Sequence, residues 1–432
     1  MPKYLSIGLS IAIFLVFCVT LFTNTLNIPS FDDYDTTIGF IKRIFFDDYT
    51  AKGKVEILFG RHNEHRIIIT RLAAAAYFSI FHQVDFANLV FFQNLMLIGF
   101  FVLMLVIMNE NRLLYAESIL FASVFLFSLA FWQVSFYYWA GSQHYAVFLF
   151  CFLSFYLLNK SQTIKSRYFF LAVLAVIIAV FSFGNGFLGL LLGAFMLLVQ
   201  KKWPQLFAWT GISAVLLWIT FVLGAQVVVK RDIPFNIDWM KSLLLTFLGS
   251  FVYINPGAND YINIYICMII GTTVLFVWIW LFFKGYPRRN PLLYCMLSMP
   301  ILTGFIISVS RFEYQSGGGV APRYMFFTAT IPVILMLIFL DLKILRIRHL
   351  RLLAWAGVLL WGVVFFQNRK ALREMNKDLV QRVIAWESDP ETRLIHFNEA
   401  KPASESLKWA IDHKVVRIPE LNEFRETETV PN

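Results

Sequence analysis

The apolar residues of this chain fall into long blocks, without the alternation of a half-buried strand or the one-sided stripe of a soluble helix. A membrane-crossing helix needs about 20 mostly apolar residues. Blocks of that kind lie at roughly 4–26, 86–108, 115–136, 144–158, 168–184, 186–200, 206–229, 261–283, 292–310, 324–340 and 351–366, which predicts eleven spans. Two shorter patterns differ. Thr36–Phe46 has apolar residues at 38, 41, 44 and 45 with Lys42 and Arg43 opposite, which predicts an amphipathic helix of about three turns. Ile67–Phe81 is apolar but short and carries Arg71 in its first turn, which predicts a helix lying on the membrane face.

Orientation follows from the basic residues, which are retained on the cytoplasmic side. With the first helix running outward, the inner segments carry Arg112; Lys160, Lys165 and Arg167; Lys201 and Lys202; Lys284, Arg288 and Arg289; and Lys343, Arg346, Arg348 and Arg351. Counting Ile67–Phe81 as a further span would put all thirteen outside. The opening segment MPKYLSIGLSIAIFLVFCVTLF lacks a small-residue cleavage site and reads as an uncleaved signal anchor. The N-terminus is thus expected inside and the C-terminus outside.

Composition agrees with this reading. Apolar residues make up 59% of the 432, against about 45–50% in an average soluble chain. Mean hydropathy is +0.66. Of the 64 charged side chains, 23 lie from Gln367 onward, so the chain divides into a lipid-embedded body, 1–366, and a water-soluble tail, 367–432. The tail reads as a helix over Arg369–Trp386, a break at Asp389-Pro390, a short helix over Ser404–Asp412 and an extended VVRIP. A single soluble globule, a disordered chain and a disulfide scaffold are excluded. The net charge of +10 is spread in short clusters between apolar runs, so it signals topology and no nucleic-acid partner. The four cysteines sit inside apolar blocks and imply no disulfide framework.

The outer segments hold most of the candidate chemistry. Phe31-Asp32-Asp33-Tyr34-Asp35 opens the long outer loop, 27–85, with three carboxylates in four positions. Like charges so close raise one another's pKa and call for a cation or a substrate hydroxyl; the plainer reading is a solvated loop with Asp35 capping the following helix. Gly60-Arg61-His62-Asn63-Glu64-His65-Arg66 is the densest polar stretch of the membrane part. Its histidines lack zincin spacing, so a sugar or anion cradle competes with a simple acidic helix start at Glu64. Arg311, Glu313, Gly317–Gly319 and Pro322-Arg323-Tyr324 form an outer loop that re-enters the bilayer. Arg323 reads either as a snorkelling anchor or as a bidentate phosphate ligand. Trp139, Gln143 and His144 read as an interfacial belt unless they line the same cavity.

Together, the outward first helix, the outer loop opening on Asp-Asp, two surface helices, eleven spans and an outer tail resemble the GT-C glycosyltransferases. The phrases HNEHR and APRY strengthen the likeness, the latter resembling the Ser-Arg-Tyr sequence of many bacterial members. Within that superfamily the chain is similar to the serotype-converting O-antigen glucosyltransferases of temperate phages. It departs from the pattern in having Ala321-Pro322 before Arg323-Tyr324, and it has no motif for oligosaccharide transfer to asparagine. The resemblance implies an all-α polytopic fold in a bacterial inner membrane, with a periplasmic active face. It also implies an undecaprenyl-phosphate hexose such as glucose as donor, a periplasmic glycan such as O-antigen as acceptor, and a separate synthase and flippase to supply the donor. Asp32 or Asp33 is then the catalytic base and Glu64 a second carboxylate. Asp35, His62, His65, Arg66, His144, Arg311, Arg323 and Tyr324 are the candidate substrate contacts. No nucleotide motif is present, and neither a cofactor nor a metal is indicated. The rivals are a flippase or transporter of a lipid-linked sugar, which calls for mid-membrane charges and duplicated halves, and another membrane enzyme of envelope glycan assembly such as a glycan polymerase or acyltransferase.

Overall fold

The computed structural model describes residues 2–62, 65–222, 235–254, 261–311, 319–395 and 400–418. These residues form helices, with two isolated β-bridges, His62 to His65 and Val84 to Val416. The first half comprises α1 (Pro2–Asn24), α2 (Ala51–Phe59), α3 (Ile68–Phe81), α4 (Phe86–Glu110), α5 (Ala116–Leu126), α6 (Trp132–Phe136), α7 (Tyr138–Lys160) and α8 (Arg167–Val180). The second comprises α9 (Phe187–Val199), α10 (Trp203–Leu217), α11 (Ile237–Gly249), α12 (Tyr261–Phe283), α13 (Tyr286–Arg289), α14 (Pro291–Ser310), α15 (Met325–Asp341), α16 (Ile347–Ser388) and α17 (Ala400–Asp412). Between α1 and α2 the chain coils in wide turns over Tyr34–Gly39 and Lys42–Phe46.

Nine helices among the described residues are long and apolar enough to cross a membrane. The protein is therefore a multi-pass, all-α membrane protein. The blocks at 168–184 and 186–200 form α8 and α9, of 14 and 13 residues, because a turn at Gly184–Gly186 separates them. The block at 206–229 is described only as far as residue 222. One expectation is corrected. The 351–366 block and the tail helix at Arg369–Trp386 are a single 42-residue helix, α16, since Val363–Lys370 holds neither proline nor glycine to break it. It stops where Asp389 turns extended before Pro390.

Helices α5, α7, α14 and α15 form the buried centre, while α1, α10, α12 and α16 keep more of their surface exposed. Buried amides hold the irregular stretch ahead of α7 in place. Gln93 Nε2 donates to the Val134 and Tyr137 carbonyls, and Asn94 Nδ2 to that of Ser135. At the α11–α12 contact the backbones touch. A Cβ on Gly271 would lie 1.9 Å from the Leu245 oxygen, and one on Gly249 2.0 Å from the Cys267 oxygen. Gly271→Ala must push the two helices apart, and a loss of about 1–3 kcal/mol is expected, read as a lower unfolding midpoint in detergent. Gly8→Ala, with nothing within 4 Å of the new methyl, is the neutral control.

The tail is stitched to the segment that joins α1 to α4. Val84 N donates to the Val415 carbonyl at 2.7 Å, and Asn27 bridges Phe86 N to the Arg417 carbonyl. Trp409 of α17 packs on Phe46 at 5.0 Å, and Lys42 Nζ lies 5.5 Å from the centre of the same indole. Asn376, far along α16, donates to the Asn24 carbonyl and accepts from Tyr137 Oη. These contacts fix how the chain leaves α1, and the carboxylates follow soon after.

Candidate functional site

Asp32, Asp33 and Asp35 lie close together in sequence but meet three different surroundings. The helix begins earlier than the sequence suggests, because the Asp32 carbonyl already accepts from Asp35 N and Thr36 N. Asp35 is therefore in the first turn and is not its cap. Its carboxylate lies 3.1 Å from Arg43 Nη2 and 3.5 Å from His62 Nδ1. The His62 hydrogen bond, helped by the Arg43 charge, lowers its pKa to about 2.

Asp33 turns inward and is 1% exposed. One oxygen accepts from Ser30 N and Ser30 Oγ, the other from Thr37 Oγ1. Burial outweighs those bonds and pushes its pKa up to about 8. At neutral pH this carboxyl holds a proton, and it is walled off from any ligand. Asp32 keeps 39% of its side chain exposed and lies 3.4 Å from His62 Nε2. Of the described carboxylates in this loop opening, it is the one both accessible and paired to the imidazole Nε2.

Phe31, just before, has φ 48°, a left-handed value uncommon for an aromatic residue. That bend lays its ring 5.1 Å from Trp139 while Asp32 faces His62. Trp139 in turn carries the Arg323 guanidinium 5.9 Å from its ring centre, and Tyr324 carries it at 4.9 Å. Phe31, the residue bonded to Asp32, is thus linked through Trp139 to Arg323.

The histidines border the same region. His62 and His65 exchange both backbone hydrogen bonds, which fixes their separation. His65 packs edge-on against Phe183 at 4.7 Å, and a Cβ on Gly184 would lie 3.0 Å from its Nδ1. His144 packs on the same Phe183 at 4.7 Å and stacks on Phe327 at 4.8 Å. Its Nδ1 lies 2.6 Å from the Ala140 carbonyl, and Nε2 has no hydrogen-bond partner among the described residues. Trp139, Gln143 and His144 are all buried, so they are no interfacial belt. The first turns of α7 point into the bundle instead.

Arg66 is 4% exposed and its guanidinium donates to the Phe59 carbonyl at the end of α2. Arg71, also buried, donates to the carbonyls of Ile57, Leu58 and Gly60. Both satisfy the orphan carbonyls of a helix C-terminus, a role that suits their charge. Arg311 caps α14 at the end of the bundle where the turn Pro322–Tyr324 leads into α15. Asn63, Glu64, Glu313, Gly317 and Gly318 lie outside the described residues. Among the described residues no three His, Cys, Asp or Glu side chains are grouped to hold a metal ion.

Sequence reasoning missed three contributors: Phe31, Arg43 and Arg71. Arg43 follows Asp35 by eight residues, about two helical turns, a spacing that places both on one face. Phe31 and Arg71 gave no such signal, since a positive φ and a long-range carbonyl contact leave no local pattern.

The arrangement predicts a pH response. Burial alone would lower the His62 imidazole, but Asp32 and Asp35 raise it to about 9. Its pairing therefore stabilises fully below the unfolded value of 6.5 and is lost as pH rises through 9. Asp33 acts in the same direction at lower pH, its contribution lost as pH rises from 3.8 through about 8, because its buried form is the neutral one. Between pH 8 and 9 the melting temperature of the parent should keep falling, and that of His62→Gln should fall less. Equal slopes would show that the imidazole is not held between the two carboxylates.

No family model, curated protein or solved structure matches the chain.

Proposed function

We propose that the protein is an inverting, polyprenyl-phosphate-sugar-dependent glycosyltransferase of the GT-C kind. In this reading the chain crosses the inner membrane eleven times, with α8 and α9 among the spans. Its N-terminus is cytoplasmic, and the Asp32 end of the bundle and the C-terminus are periplasmic. It moves a hexose such as glucose from undecaprenyl phosphate to a periplasmic glycan such as O-antigen.

The observation that carries this reading is that Phe31, bonded to the accessible Asp32, packs on Trp139, which in turn lies under the Arg323 guanidinium. Transfer from a lipid phosphate needs a proton acceptor for the incoming hydroxyl and a cation for the departing phosphate. A groove of about 230 Å³ adds support. It opens between α3 and α4, is lined by Tyr77, Phe81, Phe92 and Met96, and ends on Tyr138 and Ser142 of α7, next to Trp139. An apolar groove beside the span α4 suits a polyprenyl tail.

The chemistry then runs as one displacement. Asp32 takes the proton of the acceptor hydroxyl while the hydroxyl oxygen bonds to the anomeric carbon. The carbon–oxygen bond to phosphate breaks, and its electron pair leaves with polyprenyl phosphate. Arg323 compensates that charge with its planar fork of donors. His62 holds Asp32 in place, and Asp33 secures the loop from beneath.

Two tests apply. Alkaline phosphatase fused at residue 400 should be active and at residue 290 inactive, with cytoplasmic fluorescence reporters giving the reverse. The opposite pattern would invert the assigned faces. Mass spectrometry of the envelope glycan in cells that make an undecaprenyl-phosphate hexose should find one added hexose with the parent. No addition in cells that make the donor and carry the acceptor would count against the reading.

A further inference from the structure

About 25 Å from Tyr324, at the far end of the 17-residue α15, a second cavity lies outside the site described so far. Its volume is about 260 Å³, and it is lined by Trp280, Lys284, Tyr286, Arg289, Leu342 and Ile344. The local charge is unbalanced. Asp341 is the acidic partner here: its carboxylate lies 3.3 Å from Arg289 Nε and accepts from Tyr286 Oη at 2.9 Å. Arg289 Nη2 also donates to the Asp341 carbonyl, and these bonds leave Nη1 for another acceptor. Lys284 has no ion pair among the described residues. One carboxylate thus faces two cations, with Arg288 and Lys343 exposed close by in sequence.

Above the cavity, α12 has a largely unburied flank. Ile266, Ile269, Phe276 and Trp280 recur at helical spacing, so they form one stripe that leads down to Lys284. Ile269 and Phe276 are each 68% exposed. A free anion has no use for such a stripe. A lipid does, because its acyl chain would lie along α12 while its phosphate reaches the cations and Trp280 sits at headgroup level.

We propose that this cavity binds the phosphate of an anionic phospholipid, with Lys284 and Arg289 Nη1 as its ligands and the α12 stripe as the bed for an acyl chain. The site is independent of sugar transfer and sits at the opposite end of the bundle from Asp32.

Native mass spectrometry of the full chain, after exchange from nanodiscs containing phosphatidylglycerol and phosphatidylcholine, tests it. The parent should retain phosphatidylglycerol in preference. Lys284→Gln should weaken retention roughly fivefold and Lys284→Glu more, as expected for a charge near an anionic headgroup. Lys201→Glu, which alters another basic loop, should change little. Equal losses from Lys201→Glu and Lys284→Glu, or no preference for phosphatidylglycerol in the parent, would overturn the proposal. So would displacement of the lipid by millimolar inorganic phosphate, which marks a free-anion site, or a dimer that dissociates in Lys284→Glu, which makes a second copy the occupant.

Discussion

Asp32→Asn should lower sugar transfer by roughly 10²–10⁴-fold while leaving the protein folded and inserted, the usual cost of losing a general base. The substitution keeps the size of the side chain and removes its proton affinity. Asp33→Asn should behave differently. Its carboxyl is buried among Ser30 and Thr37 and pushed up to about 8, so near pH 7 it already carries a proton. An amide there costs stability, about 1–3 kcal/mol for a mismatched buried hydrogen bond, and transfer per folded molecule should stay within tenfold. Initial rates normalised to folded protein, together with melting temperatures, separate the two effects. If Asp33→Asn abolishes transfer and Asp32→Asn does not, the roles are exchanged. If neither matters, the base lies elsewhere, and Glu64 is next to test.

Arg323→Lys should weaken donor binding nearly as much as Arg323→Ala, by roughly ten- to a hundred-fold, equivalent to about 1.5–3 kcal/mol. A snorkelling anchor needs only a long cationic side chain, and lysine supplies that. Arg323 instead lies over the rings of Trp139 and Tyr324, where a planar guanidinium stacks and still offers two parallel donors to a phosphate. Lysine keeps the charge and loses both features. Titration of a polyprenyl-phosphate sugar against each variant in nanodiscs measures the effect. A parent-like affinity in Arg323→Lys would move the phosphate contact to Arg311, because Arg66 is already committed to the end of α2.

The membrane-spanning helices were legible because lipid imposes one requirement on every span, a run of apolar residues long enough to satisfy its own backbone. The amphipathic face at Thr36–Phe46 was legible in part, with Ile38 and Ile41 fully buried as their spacing implies, Ile44 half-buried and Phe45 exposed. Asp32 and Arg323 stood out as charges at the edges of apolar runs. What stayed hidden depends on how the chain turns back on itself or packs, which no local spacing records. Arg66 reads as an anion ligand in its polar heptapeptide, and only the fold brings the Phe59 carbonyl to it. His144 reads as part of an interfacial belt unless it lines the cavity, and only packing against Phe183 and Phe327 puts it in the core. The fusion of the last span with the tail helix into α16 is masked by composition, because a rise in polarity reads as an end although nothing in Val363–Lys370 breaks a helix.

The most direct test of the account uses purified protein in proteoliposomes, with a labelled polyprenyl-phosphate hexose and a soluble glycan acceptor. Bond transfer and lipid movement are followed separately. The account predicts labelled acceptor and free polyprenyl phosphate in equal amounts with the parent, and neither above background with Asp32→Asn. Movement of the intact lipid-linked sugar between leaflets, with no labelled acceptor formed, would contradict it and identify a transporter.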